Sequence, residues 1–72
     1  MLVREFCHKI LPHILNANIS LLDRNGKHIH YYVTTRKELM RYWENEVLDY
    51  SVYKDEDSDE LWVDITINAI KG

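Results

Sequence analysis

A two-layer α+β fold, with four antiparallel strands and two helices on one face in the order α-β-β-α-β-β, is predicted by three features of this 72-residue sequence. Apolar residues near the start and again after Thr35 recur at helical spacing. Ile19 to Val33 carries a hairpin signal at Asp23-Arg24-Asn25-Gly26-Lys27. From Val47 onward the apolar period changes to two, the period of a half-buried strand.

Val3, Phe6, Cys7, Ile10 and Ile14 form the apolar stripe of the first helix, with Arg4, Glu5, His8 and Lys9 on the other side. Pro12 lacks an N–H and disfavours helix in the residue before it, so the helix ends or kinks near Leu11. Asn16 to Asn18 is the connector. In the hairpin, a two-residue Asn25-Gly26 turn would mix polar and apolar side chains on each face. A three-residue loop with Gly26 left-handed pairs Asp23 with Lys27 and sorts them. Ile19, Leu21, Ile29, Tyr31 and Val33 then share one face, and Ser20, Leu22, His28, His30 and Tyr32 the other.

Thr35-Arg36-Lys37-Glu38 has the form of a capping box, and a helix with Leu39, Met40 and Trp43 as its buried stripe follows, stopping before Val47. Leu48, Tyr50 and Val52 then alternate with Asp49, Ser51 and Tyr53. After the turn at Lys54 to Glu60, Leu61, Val63, Ile65 and Ile67 alternate with Trp62, Asp64 and Thr66. Both helices cover the apolar face, which leaves the other face for function. The strand order stays open, because the second helix can lead to the neighbouring edge or across the sheet.

Length and composition narrow the class. Seventy-two residues make one domain, 1–72, which buries only about 60% of its unfolded surface and gains from a partner. A 46% hydrophobic content with two Gly and one Pro is globular and not disordered. The lone cysteine, Cys7, forms no internal disulfide and fits a reducing compartment. No stretch has the pattern of a signal peptide or the ~20 apolar residues of a membrane span. The expectation is a soluble protein of the cytoplasm, in contact with no membrane.

Charge is sorted by position. Residues 1 to 43 carry seven basic and three acidic side chains, and residues 44 to 72 carry two basic and nine acidic. All four histidines lie in the first part, so the folded chain presents an oriented field to its partners.

His28 and His30 sit two apart on one strand face, within reach of one metal ion. No third ligand has a spacing that brings it there, and solvated histidines are the simpler reading. Asp55, Asp57 and Asp59 match the first, third and fifth positions of a calcium loop. Glu60 then stands where Gly is required and Thr66 where a bidentate Glu is, so a solvated acidic turn is expected. No metal or other cofactor is expected.

The uncovered face should hold His28, His30, Tyr32, Tyr53 and Trp62. Exposed aromatics serve single-stranded nucleic acids when a positive groove accompanies them. Here Asp49 and Asp64 share the face and the acidic turn adjoins it, so phosphates are repelled. Arg24, Lys27, Arg36, Lys37 and Arg41 form a separate basic edge, in keeping with a solvated helix face. Aromatics beside charge fit a protein interface. Partner contact is expected from Asp49, Tyr53, Asp55, Glu56, Asp57, Asp59, Glu60, Trp62 and Asp64. His28, His30 and Tyr32 make a possible ligand or dimer face. Nothing indicates an enzyme: Cys7 lies on an apolar helix side, and neither a Ser-His-Asp grouping nor a phosphate-binding Gly loop occurs.

Asp23-Arg24-Asn25-Gly26-Lys27, Arg36-Lys37-Glu38-Leu39 with Tyr42, Glu46-Val47 and the strand from Leu61 to Ile67 together give the last two thirds of the chain a layout. It resembles that of short proteins encoded by phages and prophages of low-GC bacteria. The resemblance is one of spacing, with no catalytic signature and no functional residue to carry over. It implies an accessory protein that acts by binding, as anti-restriction and anti-CRISPR inhibitors do. Acidic members of that group occupy a nuclease's nucleic-acid groove. The reading is a non-catalytic, phage-type inhibitor whose acidic hairpin docks on a basic host protein without binding nucleic acid itself. The alternative is a small nucleotide- or metal-binding protein that uses the His and aromatic face. Open sheet edges on a marginal domain also predict a homodimer.

Overall fold

The two hairpins are joined through their inner strands into one sheet. The structure, a computed structural model, describes residues 1–14, 16–33 and 36–70, and for Arg36 the backbone alone. Along the chain run α1 (Val3–Lys9), a 3-10 turn (Leu11–His13), β1 (Asn18–Leu22), β2 (His28–Val33), α2 (Arg36–Met40), β3 (Val47–Lys54) and β4 (Leu61–Ile67). The capping box expected at Thr35 falls outside the described residues.

The first helix forms where its stripe requires it. Val3, Phe6 and Cys7 are buried, while Arg4, His8 and Lys9 face water. Glu5 accepts a hydrogen bond from the Leu2 N–H at 3.0 Å, satisfying one orphan donor of the helix start. That bond, more than the nearby Lys9, holds the Glu5 carboxyl below its ordinary value. The helix stops before Pro12, which enters the first positions of the 3-10 turn.

The sheet is mixed, in the order β2-β1-β4-β3, which corrects the purely antiparallel expectation. β1 pairs antiparallel with β2, and β3 with β4, but β1 and β4 run parallel from Asn18↔Trp62 to Leu22↔Thr66. The cause lies in burial. β4 supplies Val63, Ile65 and Ile67, all fully buried, and belongs inside the sheet. β3 carries Asp49, Ser51 and Lys54 and belongs at an edge. The chain therefore crosses from the β2 edge to the β3 edge, and β4 returns beside β1.

One core cluster unites Val3, Phe6 and Cys7 of α1, Leu39 of α2, Leu21 of β1, and Val63, Ile65 and Ile67 of β4. Both helices accordingly lie on one sheet face. The second helix is short, and its expected stripe is only partly right. Leu39 is buried and Trp43 packs against the core, but Met40 is 59% exposed. Beyond Met40 the chain tightens into turns, with the Tyr42 N–H donating to the Leu39 carbonyl at 2.9 Å. This rotation brings Tyr42 onto the core in place of Met40.

The first hairpin closes as its sequence predicts. The Asp23 N–H donates to the Lys27 carbonyl (2.8 Å), the Gly26 N–H donates to the Asp23 carbonyl (3.0 Å), and Gly26 is left-handed at φ +83°. Asp23 is fully buried, and its Oδ1 accepts the N–H groups of Asn25 (2.8 Å) and Lys27 (2.9 Å). Charged acceptors of backbone N–H groups are the stronger kind of hydrogen bond. Asp23→Ala should therefore destabilise the domain by about 2 to 3 kcal/mol in urea denaturation, and Asp23→Asn, which keeps an acceptor oxygen, by clearly less.

Candidate functional site

The face without helices is built mainly by the even-numbered positions of β4, with contributions from every other strand. Trp62 and Asp64 alternate with the buried Val63 and Ile65, so they project from the opposite side of the sheet. Across β3 the register places Tyr53 opposite Trp62, Ser51 opposite Asp64 and Asp49 opposite Thr66. The second hairpin thus sorts its side chains as its period predicts.

The first hairpin does not. Ile19 pairs with Val33, Leu21 with His30 and Leu22 with His28, so β2 contributes five steps where β1 contributes three. Two bulges absorb the difference, as is common at a sheet edge. Around the first, Tyr31 and Tyr32 both reach Trp62, each with ring centroids 5.9 Å from the indole. Tyr31 was expected on the covered face and is instead 69% exposed on the open one. The second bulge parts the histidines. His28 lies against Tyr31 at 4.9 Å, whereas His30 stands opposite the buried Leu21 and meets Tyr42 at 6.2 Å. His30 therefore leaves the proposed ligand face, and the two imidazoles cannot share an ion. Its Nε2 is enclosed with no hydrogen-bond partner among the described residues.

The result is an aromatic strip that crosses the sheet: Tyr31 and Tyr32 from β2, Trp62 from β4 and Tyr53 from β3. Small Ser20, which stands across from the bulge that carries Tyr31 and Tyr32, leaves room for their rings to reach over β1 to Trp62. Below the strip, the Asp64 Oδ1 accepts the Ser20 hydroxyl at 2.7 Å and the Tyr53 hydroxyl at 3.4 Å. Partial desolvation raises the Tyr53 phenol above its ordinary value, and the Asp64 carboxylate raises it further. No family model, curated protein or solved structure matches this chain. What the face can do follows from its own chemistry.

The acidic turn beside the strip is held by its own carboxylates. Asp55 Oδ1 accepts the Asp57 N–H (3.0 Å), Asp59 pairs with Lys54 (2.8 Å), and Glu60 accepts the Asn18 side-chain amide (2.8 Å). Asp59 takes a left-handed φ of 63° to close the loop. These bonds turn the oxygens toward the loop and its neighbours, and among the described residues no group of three His, Cys, Asp or Glu side chains converges as metal ligands do. Glu56 and Asp57 remain exposed at the tip. Among the described residues no helix is long and apolar enough to cross a membrane.

Of the expected contact residues, Tyr53, Trp62, Asp64 and Asp49 share the open face, with His28 and Tyr32 on its far side. Asp55, Glu56, Asp57, Asp59 and Glu60 form its border. Tyr31 is the residue missed, because an in-phase strand turns it inward. The raised Tyr53 pKa has a sign that can be checked. A phenol harder to ionise in the folded state stabilises below the ordinary value of 10.0, and that contribution is lost as pH rises through the higher folded value. Ultraviolet titration should show one tyrosine ionising late, and Asp64→Asn should bring it down.

Proposed function

We propose that this chain is a non-catalytic interaction module that binds a protein with a basic surface through the aromatic strip and the adjoining acidic turn. The observation that supports it most directly is the gathering of Tyr31, Tyr32, Trp62 and Tyr53 on the helix-free face, bordered by Asp64 and by the carboxylates from Asp55 to Glu60. Tyrosine and tryptophan give large contact area at low entropic cost and dominate interface energetics. An acidic rim selects a basic partner and speeds encounter with it. A strip so bordered repels nucleic-acid phosphates, so the rings serve a protein rather than a base stack. The fitting occupation is that of a phage-type inhibitor acting in the cytoplasm of a bacterial host, covering the basic groove of a defence or nucleic-acid-processing protein.

The two tryptophans separate binding from folding. Trp43 packs against the core, so Trp43→Ala should lower unfolding free energy by about 3 kcal/mol. Trp62 is flanked by tyrosines on the open face, so Trp62→Ala should cost the monomer about 1 kcal/mol while weakening the complex by about 2 kcal/mol or more. The check is a low-salt pull-down from a bacterial host lysate, with each variant's melting curve beside it. A protein retained by the native chain should be lost with Trp62→Ala and with the combined Asp55→Asn, Asp57→Asn and Asp59→Asn variant. Retention by both variants rules this surface out.

A further inference from the structure

The edges of the sheet are unequally protected. β2, at one edge, is broken by two bulges. β3, at the other, is blocked only at its start. There Met1–Val3 runs along its outer side: the Val47 N–H donates to the Met1 carbonyl (2.7 Å), Leu2 bridges Glu46, and the Val3 N–H donates to the Asn45 carbonyl (2.9 Å). From Leu48 to Lys54 every residue is exposed, no proline interrupts, and no described strand lies along the outer side. Unpaired strand edges of this kind template pairing with another strand.

The direction of the unpaired groups follows from the ladder. The Asp55 N–H donates to the Glu60 carbonyl (2.8 Å), which extends the β3–β4 pairing by one step. Antiparallel bonding alternates, so Tyr53, Ser51 and Asp49 direct their backbone groups at β4, while Lys54, Val52 and Tyr50 direct theirs outward. On the helix side, Tyr50 (43% exposed) and Val52 (44%) extend past the helices. Tyr50 meets the core edge-on at Phe6, with ring centroids 4.9 Å apart, and keeps the rest of its ring in solvent.

We propose that this edge pairs with a second copy of the chain, β3 antiparallel to β3 about a two-fold axis through Ser51, to make one continuous eight-stranded sheet. The register is the one that the open stretch permits. Ser51 is its midpoint, so pairing centred there uses the whole of Leu48 to Lys54. A shift of the axis to Tyr50 drives Lys54 onto the Glu46 position, which Met1–Val3 occupies. A shift to Val52 sets Asp49 against Asp55. With the axis at Ser51, Tyr50 exchanges both backbone bonds with Val52 of the second copy, an aromatic and β-branched pair on the helix side of the sheet. Asp49 stands opposite Tyr53, and no like charges face each other. An interface of one strand pair is small, which places dimerisation in the micromolar range or weaker. Edge pairing leaves the helix-free face uncovered, so this inference stands apart from the aromatic strip and can fail without it.

Ser51 meets its own copy, and the test uses that. Sedimentation of the native chain from low to high micromolar concentration should give a monomer–dimer equilibrium. Ser51→Lys places like charges opposite each other across the axis and should raise the dimer Kd about fivefold or more. Melting at low concentration should not fall, since Ser51 is exposed and its cross-strand neighbour in the monomer is Asp64. In the opposite sense, Ser51→Cys puts two thiols on a non-hydrogen-bonded pair at a Cα separation of about 4.5 Å, within the ~4.4 to 6.8 Å range of disulfides. It should form a covalent dimer on mild oxidation, while the native chain, whose only cysteine is the buried Cys7, should not. A native chain that stays monomeric throughout overturns the proposal. So does a dimer unaffected by Ser51→Lys, which would place self-association on another surface.

Discussion

The parallel pairing of β1 with β4 is the constraint on which the rest of the structure depends. Among the described residues it is the one junction between the two hairpins within the sheet, and its residues match one to one over the full length of β1. On the helix side it sets Ile19 beside Val63 and Leu21 beside Ile65, and these make the floor on which Phe6, Val3 and Leu39 pack. Because β4 occupies the inner position, β3 is left outside it. Because β1 carries only a small serine, Ser20, across from Tyr31 and Tyr32, the rings of β2 can reach Trp62 over it. The open edge and the aromatic strip are both consequences of one strand order.

Much of this was legible in the residues, and the part that was not has a definite physical cause. Local signals were read correctly: the stripe of Val3, Phe6 and Cys7, the effect of Pro12, the Asp23 to Lys27 loop with Gly26 left-handed, and the alternation of β4. Each depends on neighbours a few residues apart. The mixed sheet was missed because parallel pairing of β1 and β4 is a relation across more than forty residues. A crossover between neighbouring edges and one spanning the sheet leave the same local pattern in the chain.

The binding face shows the same division at finer scale. Tyr53, Trp62 and Asp64 were placed correctly because the second hairpin keeps its phase through the pairs that matter; its one bulge lies at Leu48, before them. Tyr31 and His30 were exchanged because a bulge adds a residue to one strand without altering its composition, and each addition inverts the faces beyond it. The hairpin loop and the two bulges act as a unit. The loop sets the starting register, the second bulge brings His30 to Leu21 and turns Tyr31 out, and the first keeps Tyr32 beside it and returns Val33 to the core side.

Parallel pairing also separates the Arg24 and Lys27 turn from the acidic turn in space. The turn with Arg24 and Lys27 follows the end of β1, and the acidic turn precedes the start of β4. In parallel neighbours those are opposite ends of the sheet. Two contacts mark them: the Arg24 N–H donates to the Ala69 carbonyl (3.0 Å) beyond the end of β4, and the Asn18 side chain donates to Glu60 (2.8 Å) at its beginning. An antiparallel β1–β4 pair would have set the two turns side by side and let their charges cancel. The seven residues of β4 put about 20 Å between its two ends, more than twice the Debye length of about 8 Å at physiological ionic strength. A partner approaching one end is therefore largely screened from the charge at the other. The modest net charge of −3 understates the field at the acidic end. That end also borders the aromatic strip, so the region of strongest attraction for a basic protein adjoins the region with most ring surface to bury.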